Sequence, residues 1–192
     1  MADQLGKLFC CIRVYCPCLF NAPQGYGIPL VTFSDRKGKR VRISNYFVAG
    51  NGTALANVPL VQNRAYWEIK VVEAGKFCVG VCELTKTTLD SQLSDRKRSW
   101  VFSSKAMKTT IKKGDFLGLS YDLSDIRPVL KLYINGKLVR TMQCSKDAGD
   151  VYPAVSVSDG CVLEANFEGS VDKFQYGPPN TFPPIMFTRD IL

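Results

Sequence analysis

Leu130, Leu132 and Ile134 alternate with Val129, Lys131 and Tyr133, a period of two that predicts a half-buried β-strand. Asn135-Gly136 follows at once. A type I′ hairpin needs positive φ at both central positions, which Asn and Gly tolerate best, so the chain turns back there. Upstream, Phe116-Leu117-Gly118-Leu119-Ser120-Tyr121 is an apolar run ending in the turn-forming Asp122-Leu123-Ser124-Asp125. Trp67, Ile69 and Val71 alternate with Glu68 and Lys70, and Cys161, Leu163, Ala165 and Phe167 alternate with Val162, Glu164 and Asn166. No segment between the tails sustains an apolar stripe at helical spacing. Short strands with regular turn signals predict an all-β fold, a sandwich of two antiparallel sheets. Leu84 to Lys113 has little clean periodicity and predicts loops with short strands, Trp100-Val101-Phe102 being the clearest.

A chain of 192 residues fits one domain with short tails. Residues 1–20 form a cysteine-rich N-terminal segment. Residues 21–29, with Pro23, Gly25, Gly27 and Pro29, read as a linker. The domain spans 30–177. Residues 178–192 carry four prolines with Ile185, Met186, Phe187, Ile191 and Leu192, and are expected to pack along the sandwich in extended form.

The chain contains no histidine. Ser-His and Cys-His nucleophilic mechanisms and every histidine-based metal site are thereby excluded. Asp122 and Asp125 remain for a carboxylate-only mechanism, but aspartates at these positions are better explained by side-chain hydrogen bonds in a turn. No enzymatic activity, small-molecule substrate, cofactor or metal is expected.

The net charge of +8 is uneven. From Asp35 to Arg42, Arg36, Lys37, Lys39, Arg40 and Arg42 stand against one acid; from Asp95 to Lys113, Arg96, Lys97, Arg98, Lys105, Lys108, Lys112 and Lys113 stand against one. Such concentrations attract acidic protein surfaces or a membrane surface, or else merely keep a loop face solvated. Nucleic acid is disfavoured, because no recognition motif occurs and the aromatics sit at core-period positions.

Cys10, Cys11, Cys16 and Cys18 lie within nine residues. Their spacing differs from the paired C-x2-C knuckles of structural zinc. A disulfide framework lacks its context, because the run from Leu8 to Phe20 is broken by Arg13 and Pro17 and carries no signal-peptide cleavage site. The run is also too short to span a bilayer. S-acylation suits these cysteines best, flanked as they are by Leu5, Leu8, Phe9, Leu19 and Phe20; a tail of unmodified thiols is the plain alternative. Ala2 excludes N-myristoylation, so lasting attachment needs two or more acyl chains. Cys78, Cys82, Cys144 and Cys161 read as reduced structural thiols, consistent with a cytoplasmic protein, at the cytoplasmic face of a membrane if acylated.

Several of these strands together carry a family resemblance. Tyr66-Trp67-Glu68-Ile69-Lys70, Phe77-Cys78-Val79-Gly80-Val81, Gly114-Asp115-Phe116-Leu117-Gly118 through Tyr121-Asp122, Leu132-Tyr133-Ile134-Asn135-Gly136-Lys137, and Val151-Tyr152-Pro153-Ala154-Val155-Ser156 followed by Leu163-Glu164-Ala165-Asn166-Phe167 occur in the order found in SPRY (B30.2-like) domains. The resemblance covers about residues 30–177 and implies a protein-binding module without catalysis, an adaptor that takes a protein or peptide on a shallow loop surface. By motif alignment, that surface corresponds to a loop around Gly50 and Asn51, the region of Trp100 and Phe102, and the turn Ser158-Asp159-Gly160. Trp100 reads either as an interface anchor or as a core tryptophan, and Asp159 as an interface acceptor or a turn residue. Better-known SPRY proteins often carry an aromatic where this chain has Asp159, so their peptide specificity does not carry over. The rival reading is a structural component of a cytoskeletal or other assembly, held by basic loops and tails.

Overall fold

The computed structural model describes residues 31–84, 89–107, 109–167, 173–179 and 182–187. Among them run β1 (Phe33–Lys37), β2 (Arg40–Ser44), β3 (Phe47–Ala56), β4 (Arg64–Glu73), β5 (Lys76–Glu83), β6 (Ser99–Ser103), β7 (Phe116–Asp122), β8 (Val129–Ile134), β9 (Lys137–Gln143), β10 (Val151–Ser158) and β11 (Val162–Asn166). These strands pair antiparallel throughout. Sheet I has the order β6-β5-β10-β3-β1 and sheet II the order β2-β3-β11-β4-β7-β8-β9.

The sheets share β3. Its first half pairs with β11 and its second half with β10. The passage from one sheet to the other falls at Gly50 and Gly52, with φ of 104° and 134°. A Cβ on Gly50 would lie 2.1 Å from the Arg40 carbonyl oxygen, so glycine is required here both for its φ and for its lack of a side chain. The loop expected around Gly50 and Asn51 is therefore a bend inside a ten-residue strand. Glycine there serves a close backbone approach, not an excursion from the sheet.

The core lies between the sheets. Val79, Val81, Phe102, Val155 and Val157 of sheet I meet Trp67, Ile69, Leu117, Leu119, Tyr121, Leu132 and Leu163 of sheet II. Full burial of each such side chain contributes roughly 1.5–3 kcal/mol. β8 shows the strict in-out alternation that its sequence predicts. Asn135 and Gly136 adopt φ of 48° and 78°, as a type I′ hairpin requires.

Each sheet has part of its outer face covered, while β9 at the edge of sheet II stays exposed. Sheet I is covered by the segment entering β6, whose Leu93 packs with Leu55, Cys78, Cys82 and Ala154. On sheet II, β4 buries Tyr66 and Glu68 as well as Trp67 and Ile69, although alternation predicted an outward Glu68. The difference comes from the C-terminal stretch. Pro183 O accepts from Tyr66 N at 2.9 Å, Phe167 O accepts from Ile185 N at 3.2 Å, and Ile185 is buried.

Candidate protein-binding site

β1 and β2 are two halves of one ribbon laid along the bent β3, with Gly38 at the corner. A Cβ on Gly38 would lie 2.5 Å from Leu89 O. The segment from Leu89 to Gln92 fastens this corner to the end of β10. Lys39 N donates to Asp90 Oδ1 (2.6 Å), Thr53 Oγ1 to Ser91 O (2.8 Å) and Gln92 Nε2 to Val157 O (3.1 Å). Arg36, Lys37, Lys39 and Arg40 are exposed on the corner, with Asn51 opposite Arg40 in register.

The turn after β10 lies on the same side, because Val157 pairs with Gly52. Ser158 is nearly buried, while Asp159 (φ 55°) and Gly160 (φ 78°) form the exposed tip. The Asp159 carboxylate pairs with Lys76. A depression of about 40 Å³ beside them is lined by Lys76, Gln92, Ser94, Ser103, Lys105 and Ser158. Folding thus joins the Asn51 bend, the Arg36–Arg40 corner and the Ser158–Asp159 turn into one polar, basic surface. Salt bridges among the described residues join Arg64 to Asp122, Lys76 to Asp159, Arg98 to Glu83 and Lys113 to Glu73; none engages Arg36, Lys39, Arg40 or Arg42.

Trp100 and Phe102 do not join that surface. Phe102 is 2% exposed and belongs to the core, so it is not available to a partner. Trp100 is half-buried against the same core. It sits opposite Val81, which pairs with Pro153, five positions along β10 from Ser158. A period-two strand points both aromatics inward, which the irregular sequence around them concealed.

The Arg96–Arg98 run is separate as well. The Arg98 guanidinium grips Glu83, with Nη2 donating to Oε1 at 2.6 Å and to Asp147 O at 2.7 Å. Hydrogen bonding to Arg98 holds the Glu83 carboxyl below its ordinary value. Lys97 is exposed. The single basic segment read in the sequence is split, because its charges fall on both sides of strand β6.

Asp122 accepts from Ser124 N at 2.8 Å and pairs with Arg64 at 3.3 Å, and Asp125 accepts from Ile126 N at 2.7 Å. Both act in the turn. Burial pushes the Cys144 and Cys161 thiols up to about 12, so thiolate is scarce at neutral pH. No group of three potential metal-ligating side chains gathers among the described residues. Cys10, Cys11, Cys16 and Cys18 lie outside the described residues.

One functional-looking residue was missed. Glu68, 2% exposed, accepts from Tyr66 Oη (2.9 Å), Gln175 N (2.7 Å) and Tyr176 N (3.0 Å). It borders a cleft of about 540 Å³ that also takes in Tyr46, Lys70, Phe116, Glu164 and Phe174. Nothing in the sequence marked it, because Glu68 alternates with Trp67 and Ile69 as the part-exposed Lys70 does. Two of its three partners arrive from more than a hundred residues away.

The SPRY domain family profile matches residues 64–170. SPRY domain-containing protein 7 of Gallus gallus is 30% identical over 97% of this chain and 99% of its own length. The protein of that name from Homo sapiens is 29% identical over 76% of each chain. Among solved structures, a human SPRY domain superposes with a TM-score of 0.56 at 18% identity, covering 67% of this chain and 95% of its own. Stonustoxin superposes at 0.55 and 17% identity, with 71% of this chain against 28% of its own. Sequence and fold converge, and the chain belongs to the SPRY domain family.

Proposed function

We propose that this protein is a non-enzymatic SPRY adaptor that captures an acidic protein surface on its basic corner. S-acyl chains on Cys10, Cys11, Cys16 and Cys18 hold it at the cytoplasmic face of a membrane. SPRY domains are in general protein–protein interaction modules. The observation that carries the binding reading is the corner itself. Arg36, Lys39, Arg40 and Arg42 stand out from a backbone pinned in two sheets, none of them is held in a salt bridge among the described residues, and they outnumber the nearby Asp35 and Asp90. Fixed cations of one sign steer an acidic partner and favour its capture over neutral competitors. Ser158, Asp159 and Lys76 add a hydrogen-bonding rim.

The test compares proteins crosslinked in cells to wild type, to Arg36→Glu/Lys39→Glu/Arg40→Glu, and to Trp100→Ala. The triple reversal loses a salt-sensitive set by about tenfold or more, and Trp100→Ala keeps it. An identical set from all three sinks the corner as the site. Membrane fractionation with and without hydroxylamine tests the tether. Sedimentation with filaments irrespective of the cysteines supports the assembly reading instead.

A further inference from the structure

In an antiparallel sandwich the connections alternate between two ends. Those at 57–63, 84–98, 123–128 and 144–150 share one end; those at 74–75, 104–115, 135–136 and 159–161 share the other. Of the nine large apolar side chains exposed among the described residues, five stand at the first end, while Leu138, Val139 and Tyr176 flank the 135–136 hairpin at the other. Val61 is 51% exposed, Ile126 78% and Met186 51%, and Phe187 and Leu84 stand there too. Met186 N donates to Gln62 Oε1 at 2.7 Å, placing the C-terminal stretch beside Val61, and Leu123 N donates to Asn63 O at 2.8 Å, placing the Ile126 turn beside both. The chain coming from the cysteine-rich segment enters the domain at this same end. Thr32 N donates to Asn57 Oδ1 at 3.0 Å, and Asn57 N to Thr32 O at 2.8 Å.

We propose that this end is a bilayer-docking face, with Val61, Ile126, Met186 and Phe187 entering the headgroup–acyl boundary. The proposal rests on the tether reading above and extends it by fixing which way the tethered domain lies. The stretch from Cys18 to Val31 reaches at most about 45 Å when extended, enough for the domain to hang free or to lie down. The tether alone therefore leaves orientation open, and the apolar side chains decide it. Clustered exposed apolar side chains of this kind mark an interaction surface rather than ordinary scatter.

Charge sets how a bilayer would hold this end. At this end Arg64 is paired with Asp122 and Arg98 with Glu83. The exposed Lys97, Arg127 and Lys146 are matched by exposed Asp95, Asp125, Asp147 and Asp150. Among the described residues the exposed groups of this end carry one more acid than base, so anionic lipid offers no attraction and docking is driven by apolar insertion. Exposed Lys105, Lys112 and Lys137 crowd the opposite end, and the Arg36–Arg40 corner adjoins that end beside the 159–161 turn. Docking this way keeps the corner in solution for its partner.

The experiment uses the full chain in two arms. In cells, wild type and Val61→Glu/Ile126→Glu/Met186→Glu/Phe187→Glu are compared for hydroxylamine-sensitive acylation and for membrane retention. In vitro, the unacylated proteins are titrated with vesicles of phosphatidylcholine alone and with added phosphatidylserine. Four carboxylates in place of apolar side chains lower vesicle partitioning by about tenfold or more, with the melting temperature unchanged because all four sites are exposed. Wild-type partitioning changes by less than about twofold between low and high salt. Equal partitioning of variant and wild type overturns the proposal, and so does wild-type binding that needs phosphatidylserine and vanishes in salt. Absence of acylation on wild type refutes the tether alone, and the vesicle arm still decides the face.

Discussion

The outer faces of the two sheets are covered by opposite means. Sheet I is covered by apolar contact, with Leu93 pressed onto Leu55, Cys78, Cys82 and Ala154, and by neutral hydrogen bonds that join Ser91, Gln92 and Leu93 to Thr53, Val157 and Ser156. Sheet II is closed by a polar clamp, in which the buried Glu68 takes one phenol and two backbone N–H donors. Rings line that clamp. Tyr66 meets Phe174 edge-on at 5.0 Å and Tyr133 at 6.4 Å. A cover held by apolar contact and neutral hydrogen bonds tolerates repacking. A buried carboxylate is tolerable only while its partners stay in place, and so it fixes where the C-terminal stretch must lie.

Truncation should expose that contrast. Leu93→Ala empties a fully buried site and lowers global stability by about 2–5 kcal/mol, read as a shift in the urea midpoint with an unchanged slope. Glu68→Ala removes the acceptor for three donors and costs about 3 kcal/mol, but locally. Hydrogen exchange and proteolytic cleavage should rise in the C-terminal stretch before the core responds. If Glu68→Ala instead unfolds the molecule as one unit with no early cleavage, the clamp is part of the core and the contrast fails.

A smaller loss comes from the space beneath the clamp. A Cβ on Gly118 would stand 2.4 Å from Tyr66 Oη and 3.1 Å from the ring carbon that bears it. Gly118→Ala therefore shifts a buried ring and costs about 1–3 kcal/mol, while Tyr66→Phe costs about 1 kcal/mol. The double variant should cost less than the sum, because the phenylalanine frees the space that the methyl group needs.

The two covers also respond to opposite ends of the pH scale. Hydrogen bonding to Arg98, at the edge of the sheet I cover, holds Glu83 below its ordinary value of 4.5. That stability is present above 4.5 and lost as pH falls through the lower folded value; Arg98→Ala should flatten this acid limb. Burial, with the adjacent Glu68 carboxylate, raises the Tyr66 phenol well above its ordinary 10. That contribution is complete below 10 and lost as pH rises beyond it, and Tyr66→Phe should flatten the alkaline limb. Thermal melts from pH 3 to pH 11 would read both; identical profiles for wild type and variants would rule out this assignment.

The smallest expected effect is a null one. Cys78, Cys82, Cys144 and Cys161 are all buried and free. In the Cys10/Cys11/Cys16/Cys18→Ser variant, maleimide should add slowly under native conditions and to four thiols after unfolding. Fast native labelling would show that the sheet I cover opens around Cys78 and Cys82.

Local patterns carried most of the fold. The alternation around Leu132 and the Asn135-Gly136 turn were legible because each needs only its neighbours in sequence. Trp100-Val101-Phe102 was legible as a strand but not as an inward-facing one. Gly50 and Asn51 were misread as a loop, because a glycine demanded by a close approach looks in sequence like one demanded by a turn. Of the candidate surface, sequence supplied the Arg36–Arg40 charges and the Ser158–Asp159 turn. It gave no sign that the Leu89–Gln92 segment fastens them side by side.

The sequence by itself determined the all-β class, the hairpins and the excess of positive charge, since periodicity, turn chemistry and net charge are properties of short stretches. Only the tertiary structure decided which faces are covered, that Glu68 is buried, that Arg96–Arg98 stand apart from Arg36–Arg40, and that apolar side chains gather where the chain enters the domain. Each of those depends on contacts between residues tens to more than a hundred positions apart, and nothing in a local pattern records which distant segment will arrive.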